Sequence, residues 1–276
     1  RQAGLVTAKK RLDLRFSGQV AVDMPYSTKS AYSQVSQALG TQIVQNSRLK
    51  VLVAIHDFFD SPHSYGNNFY PDFYIWLYRL NELSLDLDYD WYIKTHPDIQ
   101  GPGNSVLSEF IEQSNGFRLI PSNTSHHDLI RDGIDCVLTV FGTIAMEYPY
   151  LGRTVVNASR SNPHVAYNFS VTPSDKSHYE EIIRNLEQYC SIEVNKEEIL
   201  EYYYMHNIHG LQSWVFRDQT KLLDEIGGYD ASNSSRIYSY FLAGHNRWDS
   251  ADYERAIKAF LNSKEIRLGK SHFRAN

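Results

Sequence analysis

Five short runs in which most positions are apolar punctuate the middle of the chain: VLVAI (51–55), DWYIKT (90–95), GFRLIP (116–121), DCVLTV (135–140) and RTVVNA (153–158). Each is bounded by polar residues, and β-branched or aromatic side chains recur among them. A strand exposed on one face would alternate apolar with polar, so continuous runs predict strands buried on both faces. Between them apolar residues return at helical spacing over Phe73 to Glu82, Val106 to Gln113, His126 to Asp132 and Ile144 to Leu151. Strands alternating with short helices predict βαβ units and an α/β fold with a doubly wound, Rossmann-like parallel sheet.

The flanks read differently. PSDKSHYEEIIRNLEQY (173–189) predicts a helix capped at Ser174 or Ser177, with Tyr179, Ile182, Ile183 and Leu186 on its apolar face. Helical patterns continue through 196–216 and 250–263, and the tyrosines at 202–204 with Met205 read as packing residues. Gly227, Gly228 and Asn233 mark a surface loop. Residues 1–48 are polar and mixed, with a basic run at Lys9, Lys10 and Arg11 and a helix-compatible stretch from Tyr32 to Thr41. The pattern divides the chain into a lead-in (1–48), the sheet domain (49–190) and a helical C-terminal region (191–276) packed on it.

Composition narrows the function. With 276 residues, 42% apolar and 21% charged, the chain can bury one substantial core or two modest ones. A net charge of -5 argues against a general binder of nucleic acid or anionic membrane, while a local basic pocket for a small anion remains compatible with it. Cys136 and Cys190 are too few and too far apart in sequence for a disulfide framework or a zinc motif, and read as buried thiols in a reducing compartment. No apolar stretch approaches the roughly 18 to 20 residues of a membrane span, and the first thirty residues lack a signal-peptide core. The chain begins at Arg1, which raises the expectation that a partner domain precedes it.

In open α/β sheets ligands gather beyond the carboxyl ends of the strands, and here those ends are polar. HDFFDSPH supplies His56, Asp57, Asp60 and His63. YIKTHPD supplies Lys94, His96 and Pro97, and SNTSH after the third strand supplies Ser125. FGTIAME supplies Gly142, Thr143 and Glu147, and NASRSNPH supplies Asn157, Asn162 and His164. A helix start at Gly142-Thr143 offers unpaired amides to a phosphate, and Gly allows close approach. The alternative is that Thr143 simply caps its helix. Glu147 lies one turn on, where it could accept from ribose hydroxyls or form a salt bridge. Lys94, His96 and Thr143 on neighbouring strand ends could surround one phosphate, with Pro97 fixing the turn that aims the imidazole. His56, Asp57, Asp60 and His63 are also competent metal ligands, though their spacing matches no metal motif.

YIKTHPD, followed some forty residues later by VLTVFGTIAMEYPYLGRTVVNA (137–158), resembles the nucleotide-binding, C-terminal half of GT-B glycosyltransferases of bacterial surface polysaccharides. The nearest families are the transferases of Kdo (3-deoxy-manno-octulosonic acid) and of sialic acid that use CMP-sugars. Teichoic-acid glycerophosphotransferases, which use CDP-glycerol, share a similar pair of motifs. The likeness covers roughly residues 50 to 170. It implies that His96 and Thr143 hold the CMP phosphate and that the loop from Ile120 to Leu129, capped by Ser125, cradles the base. Where the sialyltransferase pattern has Ser-Ser or Ser-Thr, this chain has Gly142-Thr143, which leaves the donor open.

The resemblance implies an acceptor-binding N-terminal domain facing this one, a glycan or lipid-linked acceptor, and no role for nucleic acid. It also implies work in the cytoplasm, peripheral at the inner membrane. Sugar transfer needs a carboxylate as base or nucleophile. Asp57 is preferred for its place at the strand end, with Asp60 and His56 in support and His63, Asn162 and His164 as substrate contacts. No metal or other cofactor is expected beyond the nucleotide-sugar donor. A CDP-glycerol transferase, a UDP- or GDP-sugar transferase, a nucleotide-sugar epimerase of GT-B architecture and a non-catalytic nucleotide- or glycan-binding module remain the alternatives.

Overall fold

The computed structural model describes residues 1–24, 29–33, 43–58, 66–95, 102–190, 192–209, 225, 234–245, 250–264 and 272. The five apolar runs form β1 (Lys50–Ala54), β2 (Asp90–Lys94), β3 (Phe117–Ile120), β4 (Cys136–Thr139) and β5 (Thr154–Asn157). They pair in parallel, in the order β3-β2-β1-β4-β5. The fold is α/β and Rossmann-like, with its topological switch between β1 and β4.

Both faces are covered, which is why the strands are continuously apolar. On one face Val51, Val53, Trp91, Ile93, Leu138 and Val156 meet α2 (Phe73–Asp86), α3 (Pro102–Gln113) and α6 (Lys176–Arg184). On the other, Leu52, Tyr92, Val137 and Val155 meet α4 (His126–Arg131) and α5 (Ile144–Tyr150). Burying each such side chain contributes about 1.5–3 kcal/mol. Trp76 of α2 donates its indole N–H to the Tyr179 hydroxyl of α6 at 2.9 Å, so the polar tips of two buried aromatics satisfy each other.

Helix boundaries follow capping chemistry. Asp72 accepts from the Ile75 amide at 2.7 Å and opens α2. α3 begins at Pro102, earlier than the apolar pattern alone indicated, because proline is pre-set for the first helical position. α6 is capped by Asp175, which accepts from the His178 amide at 2.9 Å, rather than by Ser174 or Ser177. The carboxylate has the stronger acceptor, and Ser174 instead donates to Asp175 at 2.8 Å.

The lead-in departs most from expectation. Residues 2–16 form α1 (Gln2–Phe16), whose Leu5, Ala8 and Leu12 are buried. α1 packs on α7 (Lys196–Tyr203), where Gly4 admits the Tyr204 ring and Arg1 pairs with Glu197 and Glu201. Arg1–Val22 and Ser27–Tyr204 make one compact unit. Most of the helix anticipated over Tyr32 to Thr41 lies outside the described residues. The second unit comprises Asp23–Tyr26 and Met205–Asn276. It carries α8 (Ser234–His245) and α9 (Ser250–Asn262), with Phe260 against the His272 ring edge-on at 5.4 Å. Among the described residues no helix is long and apolar enough to cross a membrane.

Candidate functional site

His56 stands at the switch point. Its ring stacks on Phe73 (4.9 Å) and leans against Phe141 (4.8 Å). The Phe141 amide donates to its Nε2 at 3.4 Å, and the Thr139 hydroxyl lies at the same distance from that atom. An Nε2 that accepts makes Nδ1 the protonated nitrogen of a neutral ring. Gly142 allows a close approach here, since a Cβ would stand 3.2 Å from both His56 Cε1 and Thr139 Oγ1 and one of them would have to yield by a few tenths of an ångström. Thr139 and Phe141 were missed by sequence reasoning, because a threonine inside an apolar run reads as an ordinary strand residue.

Asp57, next along the loop, points its carboxylate at the start of α3. A Cβ on Gly103 would lie 2.8 Å from Asp57 Oδ1. Gly103 therefore leaves room for the carboxylate, whose charge complements the partial positive charge of this twelve-residue helix's amino terminus. Only tertiary contact could reveal this pairing. Asp60, His63, His96 and Pro97 lie outside the described residues. Among those that are described, no three metal-ligating side chains converge.

Lys94, the last residue of β2, is 1% exposed. Its Nζ donates to the Ser122 carbonyl at 2.9 Å and meets no carboxylate among the described residues. Burial alone lowers its pKa from 10.5 to about 8. The ammonium thus sits under the β3–α4 loop, which carries Ser125, the cap of α4 through the His127 amide at 3.3 Å.

This lysine sets a pH dependence whose sign is fixed. Between about pH 8 and 10.5 the unfolded chain holds a proton that the folded chain has lost, so Lys94's contribution to stability rises with pH through that window. Urea titrations of wild type and Lys94→Met at pH values across it should show their stability difference shifting in favour of wild type as pH rises. A difference independent of pH would refute the burial argument.

Thr143 is exposed and its hydroxyl caps nothing, so the helix-cap alternative is not what the fold uses. α5 spans only seven residues, too short for its dipole to carry an anion site, and the useful group at this position is the hydroxyl itself. Glu147, 2% exposed, has both oxygens committed. Arg15 of α1 contacts Oε1 at 2.6 Å and the Tyr32 hydroxyl donates to Oε2 at 2.8 Å. Burial lowers the Arg15 pKa but is outweighed by its partners, the Glu147 charge foremost, so that it ends raised, while burial first, then Glu147, pushes Tyr32 well up, so both remain donors. The open salt-bridge alternative for Glu147 is the one observed, and a ribose could reach it only by displacing these partners. Around it, His127 donates Nε2–H to the Phe16 carbonyl at 2.8 Å and the His126 amide donates to Ala31 at 3.0 Å.

At the end of β5, Asn157 is fully buried and donates to Ser170 Oγ (2.9 Å) and the Val171 carbonyl (3.1 Å). Its Oδ1 has no hydrogen-bond partner among the described residues. Asn162 accepts from the His164 amide at 3.1 Å, and the His164 ring lies over Phe169 and edge-on to Tyr202 of α7. Both are buried within the 157–172 loop, which Gly66–Phe69 overlies through Phe69 N–H to the Ala158 carbonyl at 3.1 Å and Ser159 contacts. The structure thus brings His56, Asp57, Lys94 and Thr143 to one edge, and turns Glu147, Asn162 and His164 inward.

Comparison with known proteins found no matching family model and no matching curated protein. Among solved structures, the chain overlaps KpsC of Thermosulfurimonas dismutans, a β-Kdo 2,4 transferase, with TM-score 0.39 and 12% identity over 74% of this chain and 56% of that one. It overlaps the wall teichoic acid polymerase TagF with TM-score 0.35 and 13% identity over 66% and 43%. The chain spans about half the length of these proteins. A likeness at this level establishes no correspondence of residues.

Proposed function

We propose that this chain is the nucleotide-sugar-binding half of a glycosyltransferase of bacterial surface polysaccharide synthesis, using a CMP-activated 2-keto sugar acid such as Kdo. The observation that carries the reading is the buried ammonium of Lys94, one strand from the switch point, with no carboxylate beside it among the described residues. A buried charge is costly unless something of opposite sign compensates it, so this edge of the sheet is suited to an anion. The motif resemblance of residues 50 to 170 names that anion as a nucleotide phosphate. In this reading the exposed Thr143 hydroxyl and His96 donate to the phosphate. Lys94 acts from beneath, holding the 121–125 loop against the base and lending positive potential.

Asp57 carries the chemistry, with Asp60 beside it in sequence. As nucleophile it attacks the anomeric carbon while CMP leaves with the bonding electrons. The acceptor hydroxyl then attacks the anomeric carbon, the carboxylate leaves with the bonding electrons and the hydroxyl proton passes to solvent water, giving retention. His56, neutral and fixed by Phe141, sets the loop that aims Asp57. A facing acceptor domain and a glycan or lipid-linked acceptor complete the enzyme, which works at the cytoplasmic side of the inner membrane.

Calorimetric titration with CMP, CDP, UDP and GDP tests this. CMP should bind most tightly, and Thr143→Ala and His96→Ala should each weaken it by about tenfold, the loss of one or two phosphate hydrogen bonds. Near pH 8, CMP binding should also take up protons, because an adjacent anion raises the Lys94 pKa. Tight binding of UDP or GDP in preference, or no proton uptake that depends on Lys94, would overturn the proposal.

A further inference from the structure

We infer that Cys136 and Cys190 form a hydroperoxide-reactive dithiol that closes reversibly into an intrachain disulfide at the amino-terminal edge of the sheet. Cys136 opens β4 and is fully buried. Its register neighbour on β5, Thr154, donates its hydroxyl to the Tyr189 carbonyl at 2.6 Å. That bond fixes the residue before Cys190 against the strand neighbour of Cys136. Cys190 is only partly buried and packs against the apolar cluster that contains Cys136, where the two thiols lie near enough to influence each other's ionisation. Its own S–H is directed at the Leu186 carbonyl, 3.1 Å away.

The two sulfurs are not equivalent. The neighbouring Cys190 thiol, followed by burial, pushes the Cys136 thiol well up, whereas the neighbouring Cys136 draws Cys190 below the usual thiol value. Cys190 is thus both the more accessible sulfur and the readier thiolate, the combination that selects the site of oxidation. Its thiolate attacks one oxygen of a hydroperoxide. The O–O bond breaks, an alcohol departs (water, from hydrogen peroxide), and Cys190 becomes a sulfenic acid. The Cys136 sulfur then attacks the sulfenic sulfur. The S–O bond breaks, and hydroxide leaves with the Cys136 proton as water. Two electrons pass from the thiols to the peroxide, so dithiol and hydroperoxide yield disulfide, alcohol and water.

The bond would tie the segment after α6 to β4, at the end of the sheet opposite His56. Because it closes a long loop containing α5, β5 and α6, the oxidised chain should unfold at a higher temperature than the reduced chain.

The chain has only two cysteines, so thiol counting reads the reaction directly. After hydrogen peroxide and removal of excess with catalase, both thiols should be lost together to dithionitrobenzoate in denaturant. The monomer mass should fall by two hydrogens, and dithiothreitol should restore both thiols. Cys136→Ala should stop at a Cys190 sulfenic acid trapped by dimedone. Should that variant not fold, a linked Cys136–Cys190 peptide in a digest of the oxidised wild type decides alone. Oxidation of Cys190 to sulfinic acid while Cys136 still titrates, a disulfide between two chains, or persistence of both thiols would each overturn the inference.

Discussion

Asp57→Asn is expected to lower kcat for glycosyl transfer by at least about 10²–10⁴-fold, since losing the nucleophile abolishes the covalent step and so exceeds the usual loss of a proton-transferring carboxylate. CMP affinity should stay within about twofold, because the substitution removes no phosphate donor. The test is sharp because Asp57 has a structural reading as well. Its carboxylate stands at the amino terminus of α3 against Gly103, and a residue serving only that contact would tolerate asparagine, which caps helices about as well as aspartate. Full activity in Asp57→Asn would therefore reduce Asp57 to a helix anchor and remove the catalytic assignment. Gly103→Ala gives a second reading of the same geometry. A Cβ 2.8 Å from Oδ1 displaces the carboxylate without changing its charge, so transfer should fall while nucleotide binding persists.

The largest effect on stability is expected at the Arg15–Glu147 pair. Arg15→Ala should destabilise the chain by about 3–5 kcal/mol, read from urea or thermal unfolding, because it strands a nearly fully buried carboxylate. Tyr32→Phe removes one donor to the same carboxylate and should cost about 1.5–3 kcal/mol. Replacing the pair together, as Arg15→Met with Glu147→Leu, should cost markedly less than Arg15→Ala, since no charge is left uncompensated. Equal losses for the double and single variants would mean that the effect comes from lost packing of α1 rather than from the charge. A change within about 0.5 kcal/mol for Arg15→Ala, the level of an ordinary surface substitution, would show that α1 is not anchored by this contact.

These two pairs also show where a sequence stops being legible. The strands could be read because burial on both faces forces nearly every position to be apolar, a local signal that needs no partner to be named. Their carboxyl ends could be read for the same kind of reason: polar residues following a buried strand have to emerge at its end. α1 left a weaker trace in Leu5, Ala8 and Leu12, three positions at helical spacing among charged neighbours, and its polar composition masked it.

The amino-acid sequence by itself determined the α/β class, the five strands and the edge at which His56, Asp57, Lys94 and Thr143 gather, because periodicity and chain direction are properties of neighbouring residues. Which of the polar residues are committed was decided only in three dimensions. Glu147 meets Arg15 and Tyr32 across more than a hundred positions, and Asp57 meets a glycine on a different helix. Cys190 meets Cys136, from which its distance along the chain had seemed to separate it. Hydrogen bonds and ion pairs depend on separations of a few ångströms, and distance along the chain does not encode separations between segments that folding brings together.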